Sequence, residues 1–102
     1  MVFAKKKWGQ NFLVDNNLLE KIIKTIDVKK DDEILEIGPG HGALSEKIIQ
    51  KTKILKMVEI DPELIQLIGQ NPLLSPFEIF NQDILKTNLK ELGLNNPKVI
   101  GN

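Results

Sequence analysis

Residues 33–45, EILEIGPGHGALS, constrain the fold more than any other stretch of this chain. Alternating, β-friendly residues at Glu33–Ile37 run straight into three glycines spaced two apart, Gly38, Gly40 and Gly42. A helical pattern begins beyond them, with Leu44, Ile48 and Ile49 sharing a face. Strand, tight turn and helix in that order make the first half of a βα unit. Glycines lack the β-carbon that would keep another molecule away from the main chain, and a helix start offers unpaired N–H groups.

The flanking sequence repeats this alternation. Asp15 suits an N-cap, after which Leu18, Leu19, Ile22, Ile23 and Ile26 recur at helical spacing, with Glu20, Lys21 and Lys24 opposite. KKDD at 29–32 breaks that helix, and the helix after the glycines is expected to end near Lys51 or Thr52. Residues 54–60 read as a second strand. Asp61-Pro62 then opens a helix whose buried side is assigned to Leu64, Ile65, Leu67 and Ile68. NPLLSP at 71–76 connects to a third strand carried by Phe77, Ile79 and Phe80 and closed by Asn81, Gln82 and Asp83. A short helix around 87–92 and an Asn-Pro turn lead to a fourth strand at Lys98, Val99 and Ile100. One helix followed by βα, βα, βα and β predicts an α/β domain with a parallel sheet.

With 102 residues, 41% of them hydrophobic, the chain has material for one core and no linker long enough to divide it. Lys plus Arg equals Asp plus Glu at 14 each, so any attraction to nucleic acid has to be local. Lys5, Lys6 and Lys7 beside Trp8 are the candidates, although a solvated N-terminus is the better account of them. The absence of cysteine excludes disulfides and thiolate metal sites, and a single histidine, His41, leaves no zinc set, so no metal is expected. No apolar run approaches membrane-spanning length and the N-terminus does not resemble a secretory signal, so a cytoplasmic protein without membrane contact is expected.

In an open parallel sheet, ligands sit at the carboxyl ends of the strands. The spacing here is GxGxG, in GPGHG, rather than the GxGxxG of dinucleotide sites, which counts against a nicotinamide or flavin cofactor. Glu59, in MVEID, stands where an acid accepts hydrogen bonds from ribose hydroxyls, a contact that both ligand classes use. Asp61 suits the cap of the next helix, leaving the ribose to Glu59. Glu36 precedes the first glycine by two, and acid-x-GxGxG resembles the first motif of S-adenosylmethionine-dependent methyltransferases. In such a pocket Asp83 would accept from the adenine amino group, although it equally suits a cap for the following turn. Trp8 and Phe12 have a plain alternative role in packing against the sheet.

GQNFL (9–13), EIGPGHGAL (36–44), VEID (58–61), QDIL (82–85) and VIGN (99–102) together resemble the ribosomal RNA adenine N6-dimethyltransferase family over nearly the whole chain. GPGxGAL is more similar to its small-subunit members, which dimethylate two neighbouring adenosines, than to the large-subunit members that confer macrolide resistance. The resemblance implies a Rossmann-like S-adenosylmethionine-dependent methyltransferase fold, cut after the fourth parallel strand. Residues 1–14 would form an N-terminal arm and 15–102 the cofactor-binding half-sheet, with the family's C-terminal helical domain absent.

By position, the resemblance puts Asn11 and Leu13 against the methionine or nucleoside end of S-adenosyl-L-methionine, Gly38 at the turn, Glu59 on the ribose and Asp83 on the adenine amine. Glu36 and Gly40 are assigned to the same pocket. Asn102 would sit beside the methyl donor as the catalytic residue, its amide oxygen accepting a hydrogen bond from the target adenine's amine. The implied partner is small-subunit ribosomal RNA in a pre-30S particle. An isolated piece of such an enzyme would bind cofactor without transferring methyl groups, and its fourth strand would leave an open edge for self-association. A nicotinamide-dependent oxidoreductase domain and a non-catalytic RNA-binding or ribosome-assembly module are the rival readings.

Overall fold

The computed structural model describes residues 2–3 and 15–101, forming a five-stranded sheet in the order β1-β5-β2-β3-β4 with every neighbouring pair parallel. Along the chain these are β1 (Val2–Phe3), α1 (Asn16–Ile26), β2 (Glu33–Ile37), α2 (Ala43–Ile48), β3 (Ile54–Glu59), α3 (Pro62–Gln70), β4 (Glu78–Asn81) and β5 (Lys98–Gly101). The four strands expected from sequence are β2 to β5. The short helical stretch expected around 87–92 is a turn of 3-10 helix, Leu89–Leu92, preceded by another at Ile84–Lys86.

β2 is hydrogen-bonded on both sides, to β3 and β5, and its alternation sorts the core into two layers. Ile34, Leu55, Met57 and Ile100 join Leu19, Ile22, Ile23 and Ile26 of α1, Leu44 and Ile48 of α2, and Ile68 and Leu74. On the opposite face Leu35 and Val58 meet Leu92 and Leu94, with Phe80, Ile84 and Val99 packed around them. All three α-helices therefore share one face, and the 3-10 segment covers the other.

Local chemistry sets the helix ends. Asp15 Oδ1 accepts from the amides of Asn17 (2.9 Å) and Leu18 (3.2 Å), capping α1 as expected. Asp61 does the same for α3, accepting from Glu63 N at 2.9 Å, with Pro62 in the first turn. Two apolar assignments differ from expectation. Leu18 is exposed, because it precedes the buried stripe of α1 by one residue. Only Ile68 of α3 is fully buried and Leu67 is exposed, since α3 covers the edge of the sheet and has less to pack against. Helix α2 is shorter than its pattern and passes through turns to the buried Thr52, whose hydroxyl donates to Lys30 O and Asp32 O and accepts from Ile54 N.

Strand β5 is tied back to distant segments. Lys98 Nζ donates to the carbonyls of Ile26 (3.1 Å) and Asp27 (2.9 Å) at the end of α1 and pairs with Asp32 at 2.9 Å. This ammonium meets the negative end of the helix and holds the Asp32 carboxyl below its usual range. Glu33 Oε1 accepts from Asn95 N (2.8 Å) and Asn96 N (3.0 Å), fixing the turn that launches β5. The outer edge of β5 was expected to be open. Val2–Phe3 lies along part of it, pairing with Ile100 and Gly101.

Gly42 and Gly69 serve opposite roles. Gly42 has φ 91°, and a β-carbon there would run into Leu74 Cδ1 and stand 3.0 Å from Ile68 Cδ1; around Gly69 there is nothing within 4 Å. Gly42→Ala is expected to destabilise by about 1–3 kcal/mol through strain and overpacking. Gly69→Ala, in a helix, should stabilise by about 0.5–1 kcal/mol. Urea unfolding of the two variants, read by circular dichroism, checks both signs.

Candidate functional site

Register brings the carboxyl ends of β2, β3 and β4 to one rim, with Ile37 beside Val58 and Glu59 beside Asn81. A cavity of about 130 Å³ opens there, lined by Ile37, Gly38, Val58, Glu59, Ile60, Gln82, Asp83 and Ile84. Three residues predicted from sequence, Gly38, Glu59 and Asp83, thus share one space. Gly38 reaches it with φ 67°, its amide donating to Val58 O at 2.9 Å, so the turn is pinned to the neighbouring strand.

Glu59 is buried, and its two carboxylate oxygens have different partners. Oε2 accepts from Asp61 N at 3.0 Å, which fixes the side chain, while Oε1 is buried and makes no hydrogen bond among the described residues. A buried acceptor without a donor is costly, so this oxygen is a candidate to accept from a ligand group. Asp83 Oδ1 caps the first 3-10 turn by accepting from Leu85 N at 2.9 Å, the alternative role expected for it, and the residue lines the cavity. Thr87 Oγ1 donates to Asp83 O (2.8 Å) and Gln82 Oε1 (3.0 Å), bracing this corner.

Sequence reasoning missed the cavity's apolar wall. Ile60 is 66% exposed although it follows a buried strand, and it lines the cavity together with Ile84. The signal was a large apolar residue next to a strand-end acid, which reads as ordinary strand until its exposure is known. Together, Glu59, Asp83 and these isoleucines put carboxylates beside apolar surface, a combination suited to a nucleoside.

Glu36 and Gly40 do not line the cavity. Glu36 is fully buried on the helical face of β2, where its Oε1 accepts from Ser45 Oγ on α2 and Oε2 has no hydrogen-bond partner among the described residues. Burial pushes its carboxyl up to about 7, against the opposing effect of the Ser45 hydroxyl. Gly40, with φ 63°, is buried within the turn. Asn11, Leu13 and Asn102 lie outside the described residues. Among the described residues, no group of three or more His, Asp or Glu side chains gathers in metal-binding geometry, and no helix is long and apolar enough to cross a membrane.

The parallel sheet, the left-handed glycine turn on its central strand and acids at the next two strand ends define the Rossmann-like fold of S-adenosylmethionine-dependent methyltransferases. The family model for ribosomal RNA adenine dimethylase matches residues 1–102, and the chain belongs to that family. It is 41% identical to ribosomal RNA small subunit methyltransferase A of Malacoplasma penetrans, over 98% of this chain and 36% of that protein. Its fold matches a dimethyladenosine transferase from Plasmodium falciparum with TM-score 0.72 and 27% identity, over 90% of this chain and 33% of the other. It also matches the 23S rRNA methyltransferase ErmE with TM-score 0.71 and 27% identity, over 89% and 36% of the two chains. The chain thus spans about a third of the length of these proteins.

The raised Glu36 carboxyl gives a signed pH dependence. Its proton is held in the folded state up to about 7, whereas the usual value is 4.5, so the unfolded chain releases it first. Its contribution is fully present below pH 4.5 and is lost as pH rises through about 7. The decline should approach about 3 kcal/mol. Urea unfolding from pH 5 to pH 8 should show it, and Glu36→Gln should flatten that part of the profile.

Proposed function

We propose that this chain holds S-adenosyl-L-methionine in the cavity at the ends of β2, β3 and β4, as the nucleoside-binding half of an enzyme that dimethylates N6 of two adjacent adenosines in small-subunit ribosomal RNA. The observation that carries the reading is the meeting of Gly38, Glu59 and Asp83 at one cavity, together with a buried Glu59 Oε1 that has no hydrogen-bond partner among the described residues. Glu59 would accept from the ribose hydroxyls and Asp83 from the adenine amine, and Ile60 and Ile84 would supply apolar contact to the purine. Gly38 lets the ligand close against the main chain. Strands β2 to β5 form this half-sheet, with Val2–Phe3 along its β5 edge and Asn11 and Leu13 as further cofactor contacts.

When bound, S-adenosylmethionine supplies an electrophilic methyl group on a sulfonium. The protein's task is to align a poor nucleophile, the exocyclic adenine nitrogen, whose lone pair is delocalised into the ring. Asn102 accepts a hydrogen bond from that amine through its amide oxygen, which keeps the pair on nitrogen, with the base turned out of its stack. The partner is small-subunit ribosomal RNA in its pre-30S particle, in the cytoplasm. The GPGHGAL sequence and the small-subunit relative support this choice over the large-subunit reaction named for ErmE.

Calorimetric titration of the chain with S-adenosylmethionine and with NAD tests the cavity directly. Saturable binding of the first alone is expected, and Glu59→Ala should weaken it by roughly 10- to 100-fold, the value of a charged hydrogen bond. Equal binding of NAD, or indifference to Glu59→Ala, would overturn the assignment.

A further inference from the structure

Glu36 and Ser45 stand at the two ends of the glycine turn and outside the cavity. Glu36 is two residues before Gly38 at the end of β2, and Ser45 is in the first turn of α2. Between them Gly38, Gly40 and Gly42 all have positive φ, of 67°, 63° and 91°. That backbone has great freedom when unfolded, and its main-chain bonds include Gly38 N to Val58 O, Gly42 N to Pro39 O and Glu46 N to Gly42 O. Helix α2 has six residues and is too short to impose order by itself.

The bond between Glu36 and Ser45 closes this loop across nine residues inside the core. In register, Glu36 lies between Met57 and Ile100, both fully buried and apolar, so it interrupts an apolar row. Burying a carboxyl there costs stability that a leucine would not. No charged side chain among the described residues offsets that cost, since burial and the Ser45 hydroxyl alone govern its titration. A role in fold stability therefore does not explain the residue.

We propose that Glu36 is a positioning residue: its buried carboxyl, held by the Ser45 hydroxyl, clasps the end of β2 to the first turn of α2 and fixes the glycine turn in the shape that places Gly38 at the cavity. The clasp itself is a property of the free protein. Its effect on cofactor affinity rests on the nucleoside-binding reading above.

The test compares Ser45→Ala, Glu36→Leu and Glu36→Gln by amide hydrogen exchange on the ligand-free chain. Exchange at 38–43 should quicken by about tenfold or more in Ser45→Ala and Glu36→Leu, the equivalent of one lost buried hydrogen bond, while α1 and β3 stay protected. Glu36→Gln keeps an acceptor for Ser45 and should stay within about threefold of the unmodified chain. Glu36→Leu should unfold at an equal or higher urea concentration at pH 8, a split between local and global stability that a merely structural residue would not produce.

Unchanged exchange at 38–43 in both Ser45→Ala and Glu36→Leu overturns the clasp, as does loss of protection throughout the chain in Ser45→Ala. S-adenosylmethionine affinity is read in parallel and should fall by about tenfold in Ser45→Ala. Failure of the unmodified chain to bind S-adenosylmethionine would refute the nucleoside reading and leave the exchange data to decide the clasp. Binding that survives Ser45→Ala with unchanged exchange would refute the clasp alone.

Discussion

The arrangement depends on β2 being hydrogen-bonded on both sides, with its register matched to β3 and, through β3, to β4. Parallel strands in step end at a common rim, so whatever follows each strand is delivered to the same place. A glycine follows β2, an acid ends β3, and an acid stands two residues beyond β4. A slip of one residue in either pairing would turn the ends of β3 or β4 to the opposite face and disperse the cavity.

This explains why the rim was legible in the sequence. Glu59 and Asp83 are separated by more than twenty positions, yet each occupies a place defined relative to its own strand, and parallel pairing converts that local place into proximity. The caps at Asp15 and Asp61 were legible for a similar reason, since a side chain that accepts from amides two or three residues ahead needs nothing from the rest of the chain. Features set by the other side of a contact were hidden. Leu67 fits its helix's apolar pattern, but nothing in that pattern says how far the sheet extends beneath it. The exposure of Ile60 likewise depends on the cavity and not on its neighbours.

Glu36 shows where motif reasoning and geometry part. The acid-x-GxGxG pattern placed it with the ligand contacts, whereas strand alternation turns it to the helical face, two positions along from Ile34. Its partner Ser45 carried no signal of its own, being one hydroxyl in an amphipathic stretch. Gly42 diverges in the same way: the third glycine of the turn serves Leu74 and Ile68, so only part of the glycine pattern belongs to the rim.

Strand β5 enters the sheet beside β2, between segments made far earlier in the chain. Until Lys98 emerges during synthesis, the last carbonyls of α1 have only water for company, and Glu33 waits more than sixty residues for Asn95 and Asn96. Closing loops of that length is slow, so β2 keeps one side unpaired until β5 is available.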